Sequence, residues 1–308
     1  MLSEFYNKLK EVAPDLEVKE GELLKNHTTF KIGGPADYFV TPTKIEELSN
    51  IIKLCLKEGV PYYILGNGSN LLVSDKGYRG VIIQIYKTFN QVVFEEKDNH
   101  FYVTAGSGIL LSEFAAKIME HSLTGFEFAS GIPGTLGGAV TMNAGAYGGE
   151  MKHCIKEATL LSYDGDICKL NKEQLNLGYR TSIIQEEKYI VVDATFEFTR
   201  GNKEEIINKM KDLNRQRKEK QPLEYPSAGS TFKRPEGYFA GKLIMDADLR
   251  GYRVGDIMVS EKHCGFVINV GNGTAKDVRT LISDVDRIVY EKFGVHLEPE
   301  VRMLGEFD

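Results

Sequence analysis

The chain is short of cysteine and has no pairing or metal pattern in what it has. Cys55, Cys154, Cys168 and Cys264 are the whole set. None belongs to a C-x-x-C pair, which reads as reduced thiols in a cytoplasmic protein. The six histidines supply no ligand spacing either. His153–Cys154 and His263–Cys264 are adjacent pairs without the usual ligand separations, so no metal is expected. Long apolar runs are also missing. No stretch approaches the ~20 residues of a membrane span, and the opening MLSEFYNKLKEVAPDLE lacks the apolar core of a signal peptide. Net positive charge is absent: the formal charge of −6 speaks against general nucleic-acid binding. One basic cluster, Arg215, Arg217, Lys218 and Lys220, runs the other way; it reads either as a solvated helix face or as a site for a diphosphate.

What is present is an ordinary globular composition. The chain's 308 residues, 42% hydrophobic and 27% charged, suffice for two or three domains with real cores. Apolar spacing predicts helices over 44–58, 111–121, 203–218, 239–246 and 275–293. Thr43 with Glu46 reads as a capping box for the first, and Thr274 with Asp277 caps the last. Strands are expected at Tyr62–Leu65, Leu71–Val73, Val81–Ile85, Tyr189–Phe198, Asp256–Val259, Gly265–Val270 and His296–Leu304. Val92–Glu95 with Tyr102–Ala105 reads as a hairpin. So does Ala158–Tyr163 with Ile167–Leu170, around Asp164–Gly165. A domain boundary is expected near the charged helix.

Three glycine- or serine-rich blocks carry the chemistry. LGNGSN (Leu65–Asn70) follows a strand but is no dinucleotide fingerprint: Leu71 stands where a third glycine is needed, and a strand follows in place of a helix. It reads as a nest of backbone N–H groups for a pyrophosphate, or as a tight turn. GIPGTLGGAVTMNAGAYGGE (Gly131–Glu150) is no Walker A loop, since no Gly-Lys-Ser/Thr closes it. Its Gly134, Gly137, Gly138 and Ala139 suit close approach of a flat ring, or close helix packing. PSAGSTFKRP (Pro226–Pro235) sets Ser230 beside Lys233 and Arg234; it is no G-x-S-x-G elbow, and reads as a turn or as a hydroxyl proton donor. In LGYRTS (Leu177–Ser182), Arg180 can pair bidentately with a carboxylate or form an exposed salt bridge.

These blocks, with HTTFKIGGPAD (His27–Asp37), EKQP (Glu219–Pro222), AGKLI (Ala240–Ile244) and LEPEVR (Leu297–Arg302), resemble the UDP-N-acetylenolpyruvoylglucosamine reductase family, MurB, over nearly the whole length. The resemblance implies an α+β, vanillyl-alcohol-oxidase/PCMH-type FAD-binding fold. Residues 1–90 and 91–202 would form two FAD-binding subdomains and 203–295 an α+β substrate-binding domain. Residues 296–308 would be a C-terminal strand returning to the active site. It implies a monomeric cytoplasmic flavoenzyme of cell-wall synthesis that takes NADPH and a small-molecule UDP-sugar enolpyruvyl ether, with no nucleic-acid or membrane partner. The roughly fifty residues from Arg180 to Ser230 leave no room for the inserted substrate-gating tyrosine of one branch, so the chain resembles the shorter kind.

Carried over by motif, Ser230 is the implied proton donor, with Arg180 and Glu300 stabilising an enolate. Leu65, Gly66, Asn67, Gly68, Ser69, Asn70, Gly131, Gly134, Thr135, Gly138 and Ala139 would hold FAD. Tyr147, Tyr179, Lys220, Arg234 and His263 would meet substrate. The competing readings are an oxidase of the same fold and a non-catalytic nucleotide-sugar binder.

Overall fold

The computed structural model describes residues 2–98 and 100–307. The chain forms two compact units, each assembled from separated stretches. The first comprises Met1–Lys19, Tyr38–Asn67 and Gly80–Gln216; the second comprises Glu20–Asp37, Gly68–Arg79 and Arg217–Asp308. The division falls inside the charged helix, which runs Lys203–Lys220.

An antiparallel sheet organises the first unit. Its strands lie in the order Ile167–Asn171, Ile155–Leu161, Ile190–Arg200, His100–Gly106, Val92–Lys97, with Leu123–Thr124 pairing the end of Ile190–Arg200. Period-2 alternation along the central strand turns Ala194, Phe196 and Phe198 into the core. There Phe114, from the helix Leu111–Glu120, meets Phe126 and Phe196 at ring separations of 5.0 and 5.3 Å. A smaller four-stranded sheet, in the order Val18–Glu20, Ala36–Val40, Tyr78–Gln84, Tyr62–Leu65, carries a second core. The helix Ile45–Glu58 buries Leu48, Ile51, Ile52 and Cys55 there.

The second unit packs one core beneath an antiparallel sheet ordered Ser227–Ser230, Phe266–Asn269, Ile257–Val259, Arg253–Val254. The helix Ala275–Phe293 buries Val278, Leu281, Val285 and Val289 at helical spacing. Thr274 and Asp277 cap it as expected, and Gly294 ends it at φ +68°. Leu71–Val73 pairs in parallel with Arg302–Leu304.

Several elements differ from the sequence reading. The carboxylate capping Ile45–Glu58 is Glu47, not Glu46: it accepts the N–H groups of Thr43 and Lys44 at 2.9 and 3.2 Å. His296–Leu304 is strand only over Arg302–Leu304. Upstream, Asp286 takes the Leu297 N–H at 2.6 Å, and Pro299 has no N–H to offer a ladder. In the long glycine block a short helix begins at Leu136, with Thr135 before it. The first residues, read only as lacking the apolar core of a signal peptide, form the helix Leu2–Val12, which buries Phe5 and Leu9 four residues apart.

Candidate functional site

In the first unit two glycine blocks meet. The strand Tyr62–Leu65 delivers Gly66 against Thr135, so that a Cβ at Gly66 would lie 2.5 Å from the Thr135 hydroxyl oxygen. Asn67 Nδ2 donates to the Pro133 carbonyl at 2.6 Å. Leu65 and Ala139 face the interior, while Gly138 is exposed. Beyond Gly138 the surface is open: a Cβ there would meet nothing nearer than Thr135 Oγ1 at 3.6 Å. Gly131 and Gly134 are half-buried on the same block. Bare backbone beside free space fits a flat cofactor ring, and a side chain at Gly138 would fill it.

Farther along, Ala146 and Gly149 pair around a two-residue turn. Its central residues, Tyr147 and Gly148, have φ of +52° and +82°, the geometry of a type I′ turn. A bulky residue in that conformation costs about 1–2 kcal/mol, and it holds Tyr147 out at 46% exposure. A second turn closes between Gly178 and Thr181, with Tyr179 and Arg180 at its tip and Arg180 at φ +58°. The Arg180 guanidinium lies 5.2 Å from the Tyr179 ring and reaches the Gly145 carbonyl at 3.4 Å. Arg180 and Tyr179 are thus brought against the base of the hairpin whose tip is Tyr147.

The second unit gathers the remaining candidates. Gly68, at φ +62°, rests on the HTTF segment; a Cβ would lie 2.1 Å from the His27 carbonyl oxygen. Thr29 donates its N–H to the Gly68 carbonyl at 3.1 Å and its hydroxyl to the Ser227 carbonyl at 2.6 Å. One residue therefore ties the phosphate-type loop to the strand that ends in Ser230. Asn70 joins the same assembly, its side chain donating to the Glu300 carbonyl at 3.3 Å and its own carbonyl accepting from Arg302 at 3.1 Å. The Glu300 N–H donates to the Thr231 carbonyl at 2.8 Å. Asn70, Thr231, Glu300 and Arg302 thus belong to one backbone network, although 70 and 300 are remote in sequence.

Ser230 pairs with Phe266 at the strand end and is exposed. His263 and Ser230 flank Gly265: a Cβ there would stand 3.1 Å from His263 Nδ1 and 3.6 Å from Ser230 Oγ. Nδ1 of His263 accepts the Gly265 N–H at 3.1 Å, which leaves the proton on Nε2. Burial pushes the His263 pKa below the ordinary imidazole value, against a backbone hydrogen bond that raises it. The ring is therefore a neutral Nε2–H donor at pH 7. Arg234 lies 4.0 Å over the Phe239 ring and donates from Nε to the Tyr238 carbonyl at 3.2 Å, while Lys233 is ion-paired with Glu298. Lys220 is exposed at the end of its helix. In the basic cluster, Arg215 is paired with Asp212 one turn away at 2.5 Å.

Two comparisons of family models match the chain: "FAD binding domain" over residues 36–171 and "UDP-N-acetylenolpyruvoylglucosamine reductase, C-terminal domain" over residues 221–304. The UDP-N-acetylenolpyruvoylglucosamine reductase of Lachnoclostridium phytofermentans is 60% identical over 97% of this chain and 96% of its own. The chain belongs to the UDP-N-acetylenolpyruvoylglucosamine reductase family. The reductase of Agathobacter rectalis is 54% identical over 98% of this chain and 99% of its own. Among solved structures, the UDP-N-acetylenolpyruvylglucosamine reductase (MurB) of Thermus caldophilus superposes with a TM-score of 0.78 at 35% identity, covering 94% of this chain and 100% of that one. A solvent-stable cholesterol oxidase shares the fold alone, with a TM-score of 0.51 at 13% identity over 61% of this chain and 39% of the oxidase. Like its family, the chain is an oxidoreductase with the α+β, vanillyl-alcohol-oxidase-type FAD-binding fold, and FAD is its cofactor. No helix among the described residues is long and apolar enough to cross a membrane.

The sequence reading gave no role to two residues that join separate segments: Thr29, bonded to Gly68 and Ser227, and the buried Asn143, bonded to Glu150, Lys152 and Gly178. Thr29 sits in a block quoted whole and given no role. Asn143 sits inside the long glycine block, where the glycines took the attention.

Proposed function

We propose that this protein reduces the enolpyruvyl ether of UDP-N-acetylglucosamine to UDP-N-acetylmuramate for peptidoglycan synthesis, with NADPH as reductant and Ser230 as proton donor. The observation that carries the reading is the pairing of the Ser230 strand with the Glu300 segment. The Thr231 carbonyl accepts the Glu300 N–H and Phe232 bridges to Pro299, which brings the backbone of Glu300 beside the residue that follows Ser230. FAD, which Gly66, Asn67, Thr135 and Gly138 would help to hold, would supply hydride chemistry at the terminal methylene carbon of the substrate. Negative charge then develops on the neighbouring carbon and spreads into its carboxylate. Arg180 offers a fixed cation to that carboxylate, and Glu300 is assigned to the same charge. Ser230 delivers the proton that completes the saturated ether. His263, a neutral donor beside Ser230, is assigned to substrate together with Tyr147, Tyr179, Lys220 and Arg234.

For the domains we propose FAD-binding subdomains over 1–90 and 91–202, a substrate domain over 203–295 and a returning strand within 296–308. The matched segments 36–171 and 221–304 support this, as does the pairing of Arg302–Leu304 beside Asn70. Between Arg180 and Ser230 the chain holds Ile183–Glu186, Ile190–Arg200 and Lys203–Lys220, which supports the branch without an inserted tyrosine. Four unpaired thiols accord with a reducing cytoplasm, where we propose that it acts as a monomer.

An anaerobic two-step titration tests the reading. NADPH bleaches the yellow protein, and the enolpyruvyl substrate restores the colour. Ser230→Ala keeps the first step and slows the second by about 10²–10⁴-fold. Equal losses in both steps would overturn the assignment to Ser230; recolouring by oxygen alone would favour an oxidase.

A further inference from the structure

Asn143 has no contact with solvent: its exposure is 0%. Its backbone is left-handed at φ +45°, and both hydrogens of its side-chain amide and one lone pair of its oxygen are engaged. Nδ2 donates one hydrogen to Glu150 Oε2 at 2.7 Å and the other to the Gly178 carbonyl at 2.8 Å. Oδ1 accepts the Lys152 N–H at 2.9 Å. An amide is the only short side chain that can donate twice and accept once in this way. Aspartate would set a carboxylate against both Glu150 and a carbonyl.

What the three bonds join is specific. Glu150 closes the hairpin whose tip is Tyr147, and it pairs with Gly145 in register. Gly178 opens the turn whose tip is Arg180. Arg180 reaches back to the Gly145 carbonyl at 3.4 Å, and Gln185 Nε2 ties the Arg180 carbonyl at 3.2 Å and the Thr141 carbonyl at 2.9 Å. Both tips carry a residue at positive φ, a conformation held only where the surroundings over-determine it. On the Gly178 side of the Arg180 turn, the bond from Asn143 is a buried side-chain anchor.

We propose that Asn143 is a positioning residue for the reduction: a buried amide clip that holds the Arg180 turn and the Tyr147 hairpin in register, so that the Arg180 guanidinium is presented to the substrate carboxylate. This rests on the role assigned to Arg180 under the proposed function. Asn143 touches no substrate and acts through Arg180.

A double-mutant cycle on the FAD-loaded enzyme tests it, each half-reaction being followed by rapid mixing. Asn143→Ala slows recolouring by the enolpyruvyl substrate by about 10²-fold, the scale of a 1 Å misplacement, and raises the substrate concentration needed for half-maximal rate. Bleaching by NADPH stays within about twofold. In an Arg180→Ala background the same change alters recolouring by less than about twofold, because the group it positions is gone. Equal losses in both backgrounds would overturn the proposal, since a merely structural defect multiplies through. A full recolouring rate in Arg180→Ala alone would sink the role given to Arg180, and the clip with it. Should Asn143→Ala not fold, Asn143→Ser, uncharged and unable to make both donations, takes its place in the same cycle with the same expected outcome.

Discussion

Gly68 and Gly138 read alike in the sequence, as bare backbone for a cofactor, and the structure gives them different reasons. At Gly68 a side chain would strike the His27 carbonyl at 2.1 Å, so any substitution disturbs the protein's own packing before it reaches a ligand. At Gly138 the space is open. Gly138→Val is therefore the cleaner probe: purified protein should carry less flavin per chain by absorbance, while the flavin-free protein melts within a few degrees of its parent. Full flavin content would remove Gly138 from the cofactor surface. The glycine pattern made both positions legible, because side-chain absence is written in the sequence. Thr29 and Asn143 were not legible. Their importance lies in which distant carbonyls and carboxylates they reach, and nothing in the local pattern of residues states that.

Helices and strands were read well where the signal is local. The capped helix Ala275–Phe293 and the two hairpins appear where periodicity and turn residues put them. The reading lost His296–Val301, where a side chain far back in the sequence, Asp286, claims the backbone donor. It also lost a buried carboxylate that joins elements. Glu127 accepts the Thr124 hydroxyl at 2.6 Å and the Gly125 N–H at 3.1 Å, and pairs with Lys209 of the charged helix at 3.3 Å. Burial raises its pKa, but the hydrogen bond from Thr124, backbone donors and Lys209 prevail, so the group lies below the ordinary glutamate value. A folded-state pKa below the unfolded one gives stability that is present above the unfolded value and lost as pH falls through the folded value. Glu127→Gln should lower the melting temperature at pH 7, the loss corresponding to about 1–3 kcal/mol for a weakened buried acceptor. The gap between variant and parent should narrow as the pH drops below ~4, the usual glutamate range. A pH-independent gap would show that the carboxylate's charge is not what holds the joint.

At the scale of the molecule, neither unit is a contiguous piece of chain, and this was the least legible feature. The core of the second unit takes Phe30, Ile32 and Leu72 together with residues from Ala228 to Val301. A fragment of residues 217–308, which contains the whole matched reductase C-terminal segment, leaves those three side chains behind and loses the strand partner of Arg302–Leu304. Such a fragment should show weak chemical-shift dispersion and no cooperative melting transition; a sharp melt would mean that the late segment holds its own core. The parallel pairing of Leu71–Val73 with Arg302–Leu304 also sets a timetable. A chain is made from its amino end, and early domains generally fold first. Here the stretch beginning at Gly68 emerges early and must wait for Arg302–Leu304, far along the chain. The nascent polypeptide therefore carries that stretch unmatched while the intervening chain is made, and the second unit can close only once Arg302–Leu304 has emerged.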